Sequence, residues 1–190
     1  MADAPFVATD FVVPAEHRAR NFLLRPLRAS HLDVDFEALQ KAGSRLRTVF
    51  APNDSWPRDG ITLDEDLEDL RRHEAEWERR LAFAYTVLSA DESRCLGCVY
   101  LNPATKLGHD CECLLWTTDA TQDGALEAVA REWLATAWPF RAVGFPGRPP
   151  TPWSVWEKLP WRDEAVPRIG ADAASVVLYN ARACGLALAE

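Results

Sequence analysis

No stretch of this chain approaches the roughly 20 consecutive apolar residues needed to span a bilayer, so no membrane helix is expected in its 190 residues. A basic surplus is also missing: 29 acidic residues stand against 21 lysines and arginines, a formal net charge of -8. Broad electrostatic binding to nucleic acid is therefore not expected, because neutralising phosphates needs a basic face. The opening residues, MADAPFVATDFVVPAEHR, have no basic start followed by an apolar run, and no secretion signal is read there. With five cysteines, an odd number, this points to reduced thiols and a cytoplasmic protein. The patterns G-x-S-x-G, H-E-x-x-H, Walker A and the Rossmann glycine fingerprint are absent, and the hydrolase, metalloprotease and nucleotide-binding classes they mark are set aside. There is no internal repeat, low-complexity tract or domain-sized break in composition.

What is present is an ordinary globular composition, 48% hydrophobic and 26% charged, with eight tryptophans expected in the core or lining a cleft. Residues 1–19 read as an irregular N-terminal arm, and 20–190 as a single domain. RNFLLRPL (20–27) is a candidate first strand. Ser30 and Asp33 form an S-x-x-D cap, and a helix should follow with Leu32, Phe36, Leu39 and Leu46 inward. APNDSWPRDG (51–60) is a loop. Thr62 and Glu65 form a T-x-x-E capping box for a second helix, with Leu63, Leu67, Leu70, Trp77 and Leu81 as its apolar stripe. The period then changes. Runs at 83–88, 95–101 and 112–116 read as three consecutive antiparallel strands covered on both faces. Residues 124–137 form a helix with Leu126, Val129, Ala130, Trp133, Leu134 and Ala137 on one face. A short strand at 141–145, a proline-rich loop, a short helix at 154–159 and a last strand at 175–179 complete the chain. The expected class is α/β (α+β): a mixed, largely antiparallel sheet with helices on both faces.

Between the third of those strands and the strongest helix lies WTTDATQDGAL, residues 116–126. A strand-to-helix turn is where backbone N–H groups can hold an anion, but this one has a single glycine and no lysine. It is either a shortened phosphate cradle or a helix N-terminus capped by Thr121 or Asp123.

Four segments in this order, FLLRPLRASHLD, AYTVLSADESRCLGCVYLNP, CLLWTTDATQDGALEAVAREWL and WSVWEKLPW, together resemble the GNAT superfamily of acyl-CoA-dependent N-acyltransferases over about residues 20–180. The resemblance implies acetyl-CoA as acyl donor and an amine of a small molecule or peptide as acceptor, and dimers are common for this fold. It implies that the backbone of Leu114, Leu115 and Trp116 pairs with the pantetheine arm, and that Gln122, Asp123, Gly124, Ala125 and Leu126 form the pyrophosphate loop. The family motif [QR]-x-x-G-x-[GA] appears here as Q-x-G-A, one residue short. The tyrosine that many members place in the late helix as general acid is absent; Ser154 is a weak stand-in, and Tyr85, Tyr100 and Tyr179 lie on strands.

Acyl transfer to an amine needs a base, because an amine near pKa 10 is mostly ammonium at neutral pH. Glu112 is the candidate, set between Cys111 and Cys113 and so facing away from both; the plainer reading is a solvent-facing strand glutamate. Trp56 and His73 are candidate acceptor contacts, against a reading of His73 on a solvated helix face with pairs such as Glu76 with Arg80. Arg148, in the loop PGRPPTP, is a candidate for a CoA phosphate or an anionic acceptor. Cys95-x2-Cys98 and Cys111-x-Cys113 lack the spacing of a zinc ribbon. Positions 95 and 98 of an extended strand face opposite ways, so buried thiols and no metal are expected. A second function class stays open, a GNAT fold that binds but does not catalyse.

Overall fold

The computed structural model describes residues 5–162. Its elements run β1 (His17–Ala19), β2 (Phe22–Pro26), α1 (Leu32–Ala42), α2 (Leu63–Glu78), β3 (Phe83–Leu88), β4 (Cys95–Pro103), β5 (Cys111–Thr117), α3 (Asp123–Ala137), β6 (Val143–Gly144) and α4 (Trp153–Trp156). The strands form one sheet in chain order, antiparallel from β1 to β5 and parallel between β5 and β6. This is the mixed, mostly antiparallel α/β layout that the periodicities imply. The candidate strand at 175–179, with Tyr179, lies outside the described residues.

Alternation along the strands divides the interior into two cores. On β5, Cys111, Cys113 and Leu115 pack with Leu126, Val129, Ala130, Trp133 and Leu134 of α3. Leu114 and Trp116 pack on the other face with Ala38 and Leu39 of α1, Leu46, Phe50 and Leu70 of α2. Both faces are covered, which explains why β3 and β5 read as unbroken apolar runs.

Three local expectations change. The arm is not irregular throughout: β1 pairs with β2, Phe6 and Val7 are buried in the α3-side core, and the Tyr85 hydroxyl donates to Pro14 O at 2.6 Å. Ser30 does not cap α1. It lies in a 3-10 turn, and His31 Nδ1 accepts from the Arg28 N–H at 3.1 Å. On α2 the buried line is Asp66, Leu70 and His73, whereas Leu63 is 42% exposed. The helical period holds, but the inner face carries polar groups because it meets other polar groups below.

The capping box of α2 forms as expected. Thr62 Oγ1 accepts from the Glu65 N–H at 3.3 Å, and Glu65 Oε2 accepts from the Thr62 N–H at 2.8 Å. Thr62→Ala should cost about 1 kcal/mol, read as a lowered urea midpoint with unchanged slope.

Candidate functional site

β5 and β6 pair only at Cys111 with Val143 and Glu112 with Gly144. Beyond that point β5 continues to Thr117, while the segment after β6 turns away into the loop at 145–151. Gly144 is needed at the branch, since a Cβ there would lie 2.3 Å from the Trp156 ring. The loop returns Arg148 to the parted strand. Its guanidinium donates to Leu115 O at 2.8 Å and to Glu127 Oε2 at 3.2 Å. Arg45, from the 3-10 segment after α1, donates to Thr117 O. Two carbonyls of the diverging strand are thus held by arginines.

The turn at 117–126 is built around two aspartates. Asp119 caps a 3-10 turn at Ala120–Gln122, accepting from the Thr121 N–H at 3.0 Å and the Thr121 hydroxyl at 2.8 Å. The N–H groups of Gln122 and Asp123 bond to Asp119 O and Ala120 O. Thr121 is therefore a donor and not the cap. Asp123, the first residue of α3, reaches back to the strand: Oδ1 accepts from the Thr117 N–H at 2.9 Å, and Oδ2 lies 3.1 Å from Arg45 Nη1 and 3.6 Å from Arg148 Nη2. A carboxylate at a helix N-terminus between two guanidiniums is what the helix dipole favours. Gln122 and Gly124 are exposed, and a Cβ at Gly124 would meet nothing within 4 Å. Ala125 packs against the α3-side core and Leu126 is fully buried in it. The side chains of Leu114, Leu115 and Trp116 are also core residues, leaving only their backbone for a ligand.

Glu112 opens β5 on the face that Leu114 and Trp116 share. It is not solvent-facing, being 9% exposed. Oε1 accepts from both the N–H and the hydroxyl of Thr105. Burial pushes its pKa up, and the Thr105 hydrogen bonds and the Lys106 charge draw it only part of the way back. A carboxyl held so, at the start of the parted strand, is suited to taking up a proton.

On the same face Trp56 and His73 join one aromatic chain. Trp56 lies 5.5 Å from Phe50, Phe50 lies 5.2 Å from Tyr100, and Tyr100 lies 5.2 Å from His73. The Trp116 indole donates to the Tyr100 hydroxyl at 3.3 Å. Arg148 is not part of this group; it stands at the strand edge with Asp123. The solvated-face reading of His73 fails, because the side chain is 5% exposed and clamped between Asp69 at 3.3 Å and Glu76 at 3.1 Å. Burial and the Arg72 charge lower its pKa, but Asp69 and Glu76 outweigh them and leave it raised. Glu76 pairs with Arg72; Arg80 instead donates to the carbonyls of Ala8 and Phe11. Ser154 is exposed on α4.

The two cysteines of C-x2-C do not face opposite ways. Leu88 pairs with Cys95 and Val87 with Gly97, so a β-bulge inserts Leu96 and turns Cys95 to the side of Cys98. Both thiols donate to Asp35 Oδ1, at 3.8 and 3.5 Å. Burial, then the Cys95 charge, raises Asp35 well above the carboxylate range. Asp66 is pushed up to about 8 by burial, then by Asp35 and Asp69. The sequence singles out neither Arg45, Asp35 nor Thr105, and Asp66 reads there as an exposed complement to the α2 dipole, whereas it is 1% exposed. Asp35 and Asp66 had a signal, since both interrupt inward positions of amphipathic helices. Arg45 and Thr105 had none.

No protein-family model matches the chain, and no curated protein matches it. Solved structures do. The ribosomal-protein-S5-alanine acetyltransferase of Vibrio fischeri is 14% identical, with a TM-score of 0.50 over 65% of this chain and 69% of that one. An acetyltransferase of Agrobacterium tumefaciens is 20% identical over 68% and 71%, at a TM-score of 0.43. The microcin C7 self-immunity acetyltransferase MccE, solved with acetyl-CoA and AMP, is 11% identical over 66% and 71%, at 0.48. At these identities the likeness is one of fold, and the fold is that of the GNAT acetyltransferases.

Proposed function

We propose that the chain is an acyl-CoA-dependent N-acyltransferase, moving an acetyl or other acyl group to an amine of a small molecule or peptide by direct attack in a ternary complex. The observation that carries this is the parting of β5 from β6 immediately after Glu112, which leaves a strand edge flanked by two arginines and headed by a buried carboxylate. The residues present fit the donor: the carbonyls of Leu115 and Thr117 are acceptors on the parted strand, now held by Arg148 and Arg45, and would be open to pantetheine amides where the arginines turn to the phosphates. Arg45, Arg148 and the exposed turn at Gly124 would meet the pyrophosphate. Acyl-CoA supplies the activated acyl thioester. Glu112 takes the proton that the amine must lose to attack, and the face of Trp56, Tyr100 and His73 walls the acceptor. The reading places the protein in the cytoplasm, without nucleic acid or membrane partners, and compatible with a homodimer. Its test is calorimetric binding of acetyl-CoA, then release of free CoA thiol across an amine panel. Release with no amine above the background hydrolysis rate would sink it.

One feature favours the second reading, a GNAT fold that binds without catalysis. The Asp123 carboxylate sits between the two arginines that the phosphates need. Under the enzyme reading, Asp123→Asn keeps the acceptor for Thr117 and removes the like charge. It should tighten acetyl-CoA binding by about tenfold, or roughly 1.4 kcal/mol. Calorimetry of both forms decides: unmeasurable binding by both at millimolar ligand favours the non-catalytic module.

A further inference from the structure

The bulge in β4 brings together a donor set that lies away from the parted strand. Cys95 Sγ, Cys98 Sγ and an Asp35 carboxylate oxygen all lie within 4.8 Å of one another and are buried. We propose that these three side chains bind a zinc ion that ties β4 to α1.

The first argument is geometric. A tetrahedral ion with Zn–S bonds of about 2.3 Å and a Zn–O bond of about 2.0 Å has S···O edges of about 3.5 Å. The two S···O separations here are 3.8 and 3.5 Å, so the carboxylate already lies at close to a bound ion's edge distance from both sulfurs. The second is chemical. Two thiolates with one carboxylate favour zinc over the hard cations magnesium and calcium. The third is independent of the trio. Asp66 on α2 is 1% exposed, and its Oδ2 is a buried oxygen with no hydrogen-bond partner among the described residues. It is close enough to Asp35 for the two carboxyl groups to interact. A buried oxygen with no partner is costly, and positive charge nearby lowers that cost. The Thr86 hydroxyl, 3.5 Å from Cys95 Sγ, supplies the outer hydrogen bond that thiolate ligands usually have. Binding releases the two thiol protons, and that of Asp35 where it is protonated, to solvent; no electron changes hands. The site is independent of acyl transfer.

The full chain, stripped with a chelator under reducing conditions, is titrated with cobalt(II) and then zinc(II). The expected result is one equivalent of cobalt, with near-ultraviolet thiolate-to-metal absorption of two-thiolate intensity, displaced by zinc. Zinc should also raise the melting temperature. Cys98→Ser should lose at least half of the absorption, and Cys113→Ala, in the core on the other face of the sheet, none. Because Cys98→Ser risks misfolding, Asp35→Asn provides a second arm. It keeps the oxygen that both thiols contact, and should weaken zinc by about 100-fold or more while its circular dichroism stays that of the unsubstituted chain. Wild-type affinity in Asp35→Asn, full absorption in Cys98→Ser, or no absorption at millimolar cobalt each overturns the proposal.

Discussion

Glu112→Gln is expected to lower kcat/KM for acyl transfer by about 10²- to 10⁴-fold, with the KM for acetyl-CoA little changed and no loss of melting temperature. The substitution is suited to separating chemistry from structure. Glutamine keeps the Oε1 acceptor that holds the Thr105 N–H and hydroxyl, so the link from the β4–β5 connection to β5 survives. It loses only the ability to take a proton. The pH profile gives a second readout. Burial raises the Glu112 pKa above its ordinary value of 4.5, so the acid limb of kcat/KM should be displaced upward from that value and vanish in the residual activity of the variant. The stability effect has a definite sign as well. A carboxyl whose folded pKa is raised binds its proton more tightly in the native state than in the unfolded chain. Its contribution is full below 4.5 and is lost as pH rises through the folded value. Glutamine is neutral throughout, so the variant should gain on the native chain as pH rises across that window. Stopped assays of thiol release between pH 5 and 9, with thermal melts at the same points, test all three. A loss of less than about fivefold, against the range general-base removal produces, would transfer the role to another group or to solvent.

The fold was largely legible because its signals are periodic. The capping box at Thr62 and Glu65, the apolar face of α3 and the three β runs each required only local spacing, and each formed close to its expected bounds. What escaped depended on register or on long-range partners. The bulge at Leu96 cannot be counted from C-x2-C alone, and it reverses the inference that Cys95 and Cys98 diverge. His73 looks like a solvated helix residue until α2 packs on the sheet and sets it 5.2 Å from Tyr100 of β4, 5% exposed. The candidate site shows the same division. Glu112 was marked by strand alternation. Arg45 meets Asp123 across 78 positions of sequence, and no motif announces that pair. The short loop had an internal reason for its shape: Asp123 bonds back to Thr117, drawing the start of α3 onto the end of β5.

Gly97→Ala should destabilise the fold by about 2–5 kcal/mol, the sum of a strained backbone and an overpacked contact. Gly97 has φ +150°, and a Cβ there would lie 2.0 Å from Trp116 O, 2.7 Å from Thr117 Cα and 2.9 Å from Trp116 C. All three are main-chain atoms, so no side chain can swing aside. Relief must come from pushing the end of β5 away from β4, where Gly97 pairs with Thr117. That same end offers Thr117 O to Arg45 and the Thr117 N–H to Asp123. The substitution should therefore weaken acetyl-CoA binding along with stability. Gly124→Ala is the counterpart that separates the two effects. Nothing lies within 4 Å of a Cβ at Gly124, and alanine in the first turn of α3 should stabilise by up to about 1 kcal/mol. If the turn receives a pyrophosphate, the added methyl stands where the ligand's backbone contacts form, and affinity should fall while stability rises. Urea denaturation and calorimetry on the two variants measure both quantities. Unchanged acetyl-CoA affinity in Gly124→Ala would remove the turn from the binding site and leave Arg45 and Arg148, among the described residues, as the phosphate contacts to test.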